Sequence, residues 1–332
     1  MADVVRPPFP AQVDNTMRSA FRTCPQKLMR SFVENWAPMY PSIHLHAGGA
    51  FAHGLEVARR AFYQFGKSEA EARRDGLEAL MRFYGPVQAP VTRSGDKSLE
   101  NVIRAFDSYM ERYRLGVDPC RPHVVDGKAM VEFAFSMPTQ IKHPESGDPI
   151  LYCGRADMIG VMHDALWVTD EKTASQLGEQ WSSQWDLDSQ FTGYIAAAHT
   201  YNFPVAGALV RGIGLLKTKI THSEAVVNRS SWVIERWWQQ LHRDIKRMIQ
   251  CWEEGYWDFA IDKGACAAYG GCEFKMLCSS PEPDSFLPIH FRQRVWNPLA
   301  KDSGEDLLAN PELTKQVESP DLHIPGLPEK PQ

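Results

Sequence analysis

The chain lacks several things that would assign it quickly. None of its 332 residues form an apolar run long enough to cross a membrane as a helix, which needs ~20 of them. The opening MADVVRPPFP has no apolar centre, so no secretory signal is expected, and residues 1–15 read as a loose leader. There is no surplus of positive charge: the formal net charge is −5. Residues 281–332 hold nine acidic and five basic side chains, which leaves residues 1–280 near neutral with 31 basic and 32 acidic. Charge alone therefore gives no support for binding a polyanion, although a small contact set aided by a bound cation is compatible with it. No internal repeat is visible. The seven cysteines include no C-x₂₋₄-C zinc knuckle. An odd number of thiols without a signal points to a reducing compartment and metal binding, not to disulfides.

What is present suffices for a core: 43% of residues are hydrophobic and 11% aromatic, enough for one large domain or two small ones. The most informative stretch is GRADMIGVMHDALWVTDEKTA, Gly154 to Ala174. Residues 155–162 and 165–172 are rich in β-branched and large apolar side chains. His163-Asp164 between them fits a two-residue turn, so the segment predicts a β-hairpin. Opposed residues then have numbers that sum to 327, which sets Asp157 against Asp170 and Arg155 against Lys172. Asp170 and Lys172 share a face with Ile159, Val161, Leu166 and Val168. Opposed carboxylates destabilise a sheet. At ~5 Å and an effective dielectric of ~20 the repulsion is about 3 kcal/mol. A Mg²⁺ or Mn²⁺ ion between them would turn repulsion into ligation. Lys172 beside it would orient a water or neutralise a reacting phosphate. An isolated D-x-K triplet would read as a solvated hairpin tip; the opposed Asp157 and the apolar face below shift the reading to a site.

Elsewhere, patterning predicts a helix over 19–36, broken only at Cys24-Pro25. Further helices are expected over 49–66 and over 68–84, the latter opening at Ser68 with Glu69 and Glu71 in its first turn. A polar loop follows at 87–97, then helices near 98–115, 184–200 and 231–256. Strands are expected at Met130–Met137 and 205–217. Beyond 280, Pro-rich acidic sequence predicts a mostly extended tail in which Phe291 and Trp296 are candidates for docking.

Asp157, a hairpin and then Asp170-Glu171-Lys172 resembles the core motif of the PD-(D/E)XK nuclease superfamily, in its RecB-like branch. Gln190-Phe191-Thr192-Gly193-Tyr194 resembles the Q-x-x-x-Y that follows this core. Gly49-Ala50-Phe51-Ala52-His53 resembles the upstream G-x-x-x-H. Cys24 with Cys266, Cys272 and Cys278 resembles the split four-cysteine iron–sulfur clasp of AddB-type and CRISPR-associated exonuclease members. The likeness spans residues 16–280, with the motifs in order. One departure is the five residues between Cys266 and Cys272, where relatives usually have two. The resemblance implies an α/β fold, a central mixed sheet flanked by helices, with N- and C-terminal segments tied by a [4Fe–4S] cluster on Cys24, Cys266, Cys272 and Cys278. It implies Mg²⁺ or Mn²⁺ held by His53, Asp157, Asp170 and the carbonyl of Glu171, with Lys172, Gln190 and Tyr194 completing the catalytic set. The implied activity is a DNA nuclease, an exonuclease on single-stranded or end-processed DNA. Its implied setting is recombination, repair or phage DNA processing in the cytoplasm of a bacterial or phage-infected cell. The implied organisation is a leader (1–15), a nuclease domain (16–280) and a tail (281–332). No G-x-x-x-x-G-K-[ST] is present, so a helicase or recombination motor would be a partner protein.

Residue by residue, plainer roles compete. A lone His on a helix such as His53 is commonly structural. The Glu171 side chain should point away from Asp170. Glu132 is an outside candidate for the site, a solvated strand residue being the commoner role. Gln190 and Tyr194 lie one helical turn apart and would project together. Trp181 and Trp185 share that spacing; they could stack on unpaired bases, but core packing is the commoner role. The fourth thiolate is Cys24, with Cys251 the alternative, and four thiolates suit zinc or an iron–sulfur cluster alike. Cys120 and Cys153 read as structural. A non-catalytic DNA-binding or assembly subunit of the same fold is the rival class, and the intact Asp157, Asp170 and Lys172 stand against it. A zinc-clasped enzyme of another type is the third reading.

Overall fold

A computed structural model describes residues 6–40, 42–85, 95–260, 263–267 and 271–300. Most of the expected 87–97 loop, and the expected tail beyond residue 300, lie outside the described residues. Along the chain, β1 (Gln12–Val13) leads into α1 (Asn15–Thr23), α2 (Pro25–Leu28) and β2 (Trp36–Pro38). Three helices follow: α3 (Ile43–Arg59), α4 (Glu69–Tyr84) and α5 (Leu99–Arg112). Then come β3 (Arg121–Pro122), β4 (Val124–Val125), β5 (Lys128–Ala129), β6 (Val131–Lys142), β7 (Pro149–Met162) and β8 (Ala165–Ala174). The helices α6 (Glu179–Ser183) and α7 (Ser189–Thr200) precede β9 (Val205–Leu215), β10 (Ile220–Val227) and the long α8 (Ser231–Glu254). Short pieces close the chain: α9 (Lys263–Ala267), α10 (Lys275–Cys278), α11 (Leu287–His290) and β11 (Phe291–Gln293).

The expected hairpin is β7–β8. His163 and Asp164 both take positive φ, 50° and 59°, as a two-residue primed turn requires. The register pairs Met162 with Ala165 and continues to Met158 with Thr169, every pair summing to 327. The sheet is mixed: β8 and β9 are parallel, whereas β6–β7, β7–β8 and β9–β10 are antiparallel. β6 borders β7 along one side, pairing Met137 with Tyr152 and Val131 with Met158. On the other side β8 holds residues 158–162, and lower down β1 runs parallel to Leu151 and Tyr152. The strands β7 and β8 therefore part just past Met158–Thr169, and the site is built at that parting.

Helices cover both faces. On one, α1, α7 and α8 pack Phe21, Phe191, Ile195 and Trp237 against Tyr152, Ile159 and Val168. On the other, α3, α4 and α5 pack Phe51, Leu80 and Phe106 against Ile213 and Leu215 of β9. The start of α4 is the expected one: Ser68 and Glu71 form a reciprocal capping box. Among the described residues, no helix is long and apolar enough to cross a membrane.

Several expectations change. Residues 6–15 are not a loose leader, because Phe9 and Val13 are buried in the core and Asp14 caps α1 through its Oδ1, which accepts from Met17 N at 2.7 Å. The stretch 283–293 is not extended: it forms a 3₁₀ turn, α11 and β11, and β11 pairs with β2. Phe291 and Trp296 do dock there, Phe291 stacked on Phe274 and Trp296 edge-on to Phe32. The strand β10 escaped the pattern because its sequence, ITHSEAVV, has a polar run of four residues, THSE, in place of an apolar alternation, as an outer strand can. Trp181 is buried in the core and Trp185, half-buried, packs edge-to-face against it, which is the core-packing role.

Candidate active site

The parting of β7 and β8 decides how the two aspartates meet. The ladder stops one pair short of Asp157 and Asp170. Asp157 instead turns its Oδ2 to accept from the Glu171 backbone N–H at 2.8 Å, a side chain filling a missing ladder bond. The carboxylates still act on each other: burial, then the Asp170 and Glu171 charges, raise Asp157 well above the ordinary carboxylate range. Asp170 is buried and is also raised by burial, against the pull of Lys172. Lys172 Nζ stands 2.7 Å from Asp170 Oδ1 and 5.8 Å from the centre of the Phe191 ring. Burial works against the Lys172 charge, but Asp170 and Asp157 outweigh it and raise the ammonium.

Helix α7 delivers Gln190 and Tyr194 to the same place. Asp188 caps it, its Oδ1 accepting from Gln190 N at 2.7 Å. Gln190 Nε2 donates to the Tyr194 hydroxyl at 2.7 Å, as side chains one turn apart can. Burial and then Asp170 push the Tyr194 hydroxyl well above its usual range, with Asp157 contributing. Tyr194 therefore stays protonated beside both carboxylates.

A cleft of about 300 Å³ opens onto this group, and His53, Asp157, Gln190 and Tyr194 all line it. Helix α3 carries Gly49 where it passes the Phe83 side chain of α4, which an added Cβ would approach to 3.1 Å. His53 Nδ1 lies 3.4 Å from Glu56 Oε2, and the ring leans on Phe83. Four further charged residues line the cleft, Asp14, Glu56, Glu132 and Arg155, of which the sequence offers only Glu132, as an outside candidate. Glu56 had a readable signal, since His53-x-x-Glu56 puts both on one helical face. Glu132 is not a solvated strand residue. It takes φ 59°, rare for a side chain of its kind, and faces Arg155 Nε at 3.5 Å. Arg155 Nη2 also donates to the Leu299 carbonyl, and residues 296–298 and 300 form the far wall of the cleft.

Glu171 behaves as alternation requires. Its carboxylate lies on the opposite face of β8, where Arg59 grips both oxygens and the Tyr109 hydroxyl donates to Oε1 at 2.8 Å. Although burial pushes it up, Arg59 outweighs that and holds Glu171 down to about 2. The side chain is therefore no ligand for an ion shared with Asp170; only its backbone remains on the cleft side.

Burial sets Cys120 and Cys153 apart from the other cysteines, which are half-buried or exposed. Cys120 and Cys153 are buried and free, and burial raises both thiols to about 12. Cys278 is raised by burial and then by Cys24, Cys272 and Cys266, and Cys272 by burial and also by Cys24. Cys24 thus lies within electrostatic reach of the late thiols. Cys251, on α8, is raised by burial and by Asp258 and Glu254. The ends of the domain also meet through Lys27 Nζ, 3.2 Å from Glu273.

Among the described residues, no three or more His, Cys, Asp or Glu side chains already stand gathered for a metal ion. At the aspartates the reason is visible: His53 is drawn to Glu56, Asp157 to the Glu171 N–H and Asp170 to Lys172. The chemistry nevertheless fits a hard cation. The buried Asp170 and the half-buried Asp157 both act on Lys172 and both are pushed up, the condition that a divalent ion with oxygen ligands relieves.

Over residues 18–279 the chain matches the family described as the PD-(D/E)XK nuclease superfamily. The match takes in the Asp157 hairpin, the Asp170–Lys172 triplet and α7, and the protein belongs to this superfamily. No curated protein matches it. Among solved structures, the one described as the crystal structure of SSO0001 is similar at 16% identity, over 60% of this chain and 74% of that one. Its TM-score of 0.26 is too low to carry an argument.

Proposed function

We propose that the protein is a Mg²⁺- or Mn²⁺-dependent deoxyribonuclease that hydrolyses phosphodiester bonds as an exonuclease on single-stranded or end-processed DNA. The observation that carries the reading is the Asp170–Lys172 ion pair, set beside Asp157 and under the Gln190–Tyr194 pair. His53, Asp157, Asp170 and the Glu171 carbonyl would hold the ion, which supplies Lewis-acid charge to the phosphate. Lys172 stays protonated and donates to a phosphate oxygen or orients the attacking water. Tyr194, kept protonated, serves as a donor and not as a base. Arg155, in the same cleft, is placed to meet a neighbouring phosphate. A scaffold without activity would have no use for a buried and a half-buried carboxylate beside one lysine.

The same proposal includes a [4Fe–4S] clasp on Cys24, Cys266, Cys272 and Cys278. The effect of Cys24 on the Cys272 and Cys278 thiols and the nearby Lys27–Glu273 bridge support it. A motor for unwinding would be a separate recombination or repair partner. The test is a cleavage assay on end-labelled single-stranded, blunt and tailed DNA, with Mn²⁺ and with EDTA. Shortening from an end with Mn²⁺ alone supports the reading; no cleavage under any condition sinks it.

A further inference from the structure

Behind the cleft, on the far face of the sheet, lies a buried polar chain that the proposed chemistry does not use. Arg59 grips the Glu171 carboxylate; the Tyr109 hydroxyl, taking a bond from Arg59 Nη2 at 2.9 Å, donates to the same carboxylate. Arg211 continues it, with Nη1 3.2 Å from Tyr109 and both Nη atoms 2.7 Å from Asp118. Each of these three side chains is buried, as is Glu171.

Its position is informative. Glu171 sits between Asp170 and Lys172, and its N–H holds Asp157. Arg59 is on α3, the helix that carries His53 and Glu56. The Arg59–Glu171 bond therefore joins the strand bearing Asp170 and Lys172 to the helix bearing the histidine. Fixing the Glu171 side chain also fixes the rotation of its backbone, hence the direction of the N–H and carbonyl on the cleft side.

We infer that Arg59, Glu171 and Tyr109 are positioning residues. They set the spacing of His53 from Asp157 and Asp170, and so the affinity of the site for its ion. This rests on the proposed metal-dependent reaction. Partners of this kind, removed one at a time, typically cost ~10- to 100-fold in metal affinity.

The test is Mn²⁺ binding to the full chain, read by electron paramagnetic resonance of free Mn²⁺, beside the kcat and KM of DNA cleavage. Arg59→Met with Glu171→Leu replaces the ion pair by apolar side chains and leaves no lone buried charge. Its Mn²⁺ dissociation constant is expected to rise by ~10-fold or more, with kcat at limiting Mn²⁺ falling and KM for DNA little changed. Tyr109→Phe, which removes one hydroxyl, is expected to weaken Mn²⁺ several-fold, and it decides the matter if the double variant does not fold. Wild-type-like Mn²⁺ affinity in Tyr109→Phe and in a folded double variant overturns the inference alone. A wild-type protein that binds no Mn²⁺ overturns the functional reading with it.

Discussion

Lys172 and its two aspartates are the residues on which the chemistry turns. Replacing Lys172 by Ala leaves both carboxylates but removes a preorganised donor, and such losses lower kcat by ~10²–10³. Asp170→Asn keeps the shape, removes the charge that holds Lys172, and is expected to abolish detectable cleavage. Circular dichroism should show both variants folded; cleavage by Asp170→Asn at the wild-type rate would remove Asp170 from the site. These residues were legible in sequence because charge is conspicuous inside an alternating hairpin. What was not legible is how the aspartates meet. The Asp157 carboxylate accepts from the Glu171 N–H, because the strands part there, and nothing in the local pattern marks where a ladder ends. Glu132 reads in sequence only as an outside candidate, since a φ of 59° there breaks the alternation from which its direction would be read; Arg155, set opposite Lys172 by the register, was given no role of its own.

At the scale of elements, the hairpin and the long helices were readable from turn chemistry and period, and α4 from its cap. The short pieces β1, β2 and β11 were not, since two or three residues carry no period and gain order only from their partners. Helix α3 is the element whose placement matters most, because it brings His53 to the cleft. Its approach to α4 depends on Gly76, where a Cβ would lie 2.6 Å from the Gly54 carbonyl and 2.8 Å from Ala58. Backbone cannot give way there as a flexible side chain would. Gly76→Ala should therefore cost about 1–3 kcal/mol by overpacking and displace α3. Thermal denaturation would record a lower midpoint, and Mn²⁺ affinity should fall with it; an unchanged midpoint would mean that the helices separate without cost.

For the whole molecule, the proposed cluster would close a loop from Cys24 to the end of the domain. Long closures remove much unfolded-chain entropy, and ligation of this kind is coupled to folding. Protein purified without oxygen should be brown and contain iron. Cys24→Ser and Cys272→Ser should lose colour and solubility together, whereas Cys120→Ser and Cys153→Ser should keep their iron. Zinc in place of iron, by metal analysis, would replace the cluster but spare the clasp. The central claim, a hydrolytic site around Asp157, Asp170 and Lys172, is tested most directly by one comparison. Wild-type protein and Asp170→Asn are incubated with end-labelled single-stranded DNA and Mn²⁺, and the products are resolved at single-nucleotide length. The account predicts progressive shortening by the wild type, stopped by EDTA and absent from the variant. Intact DNA with the wild type, or equal shortening by both proteins, would contradict it.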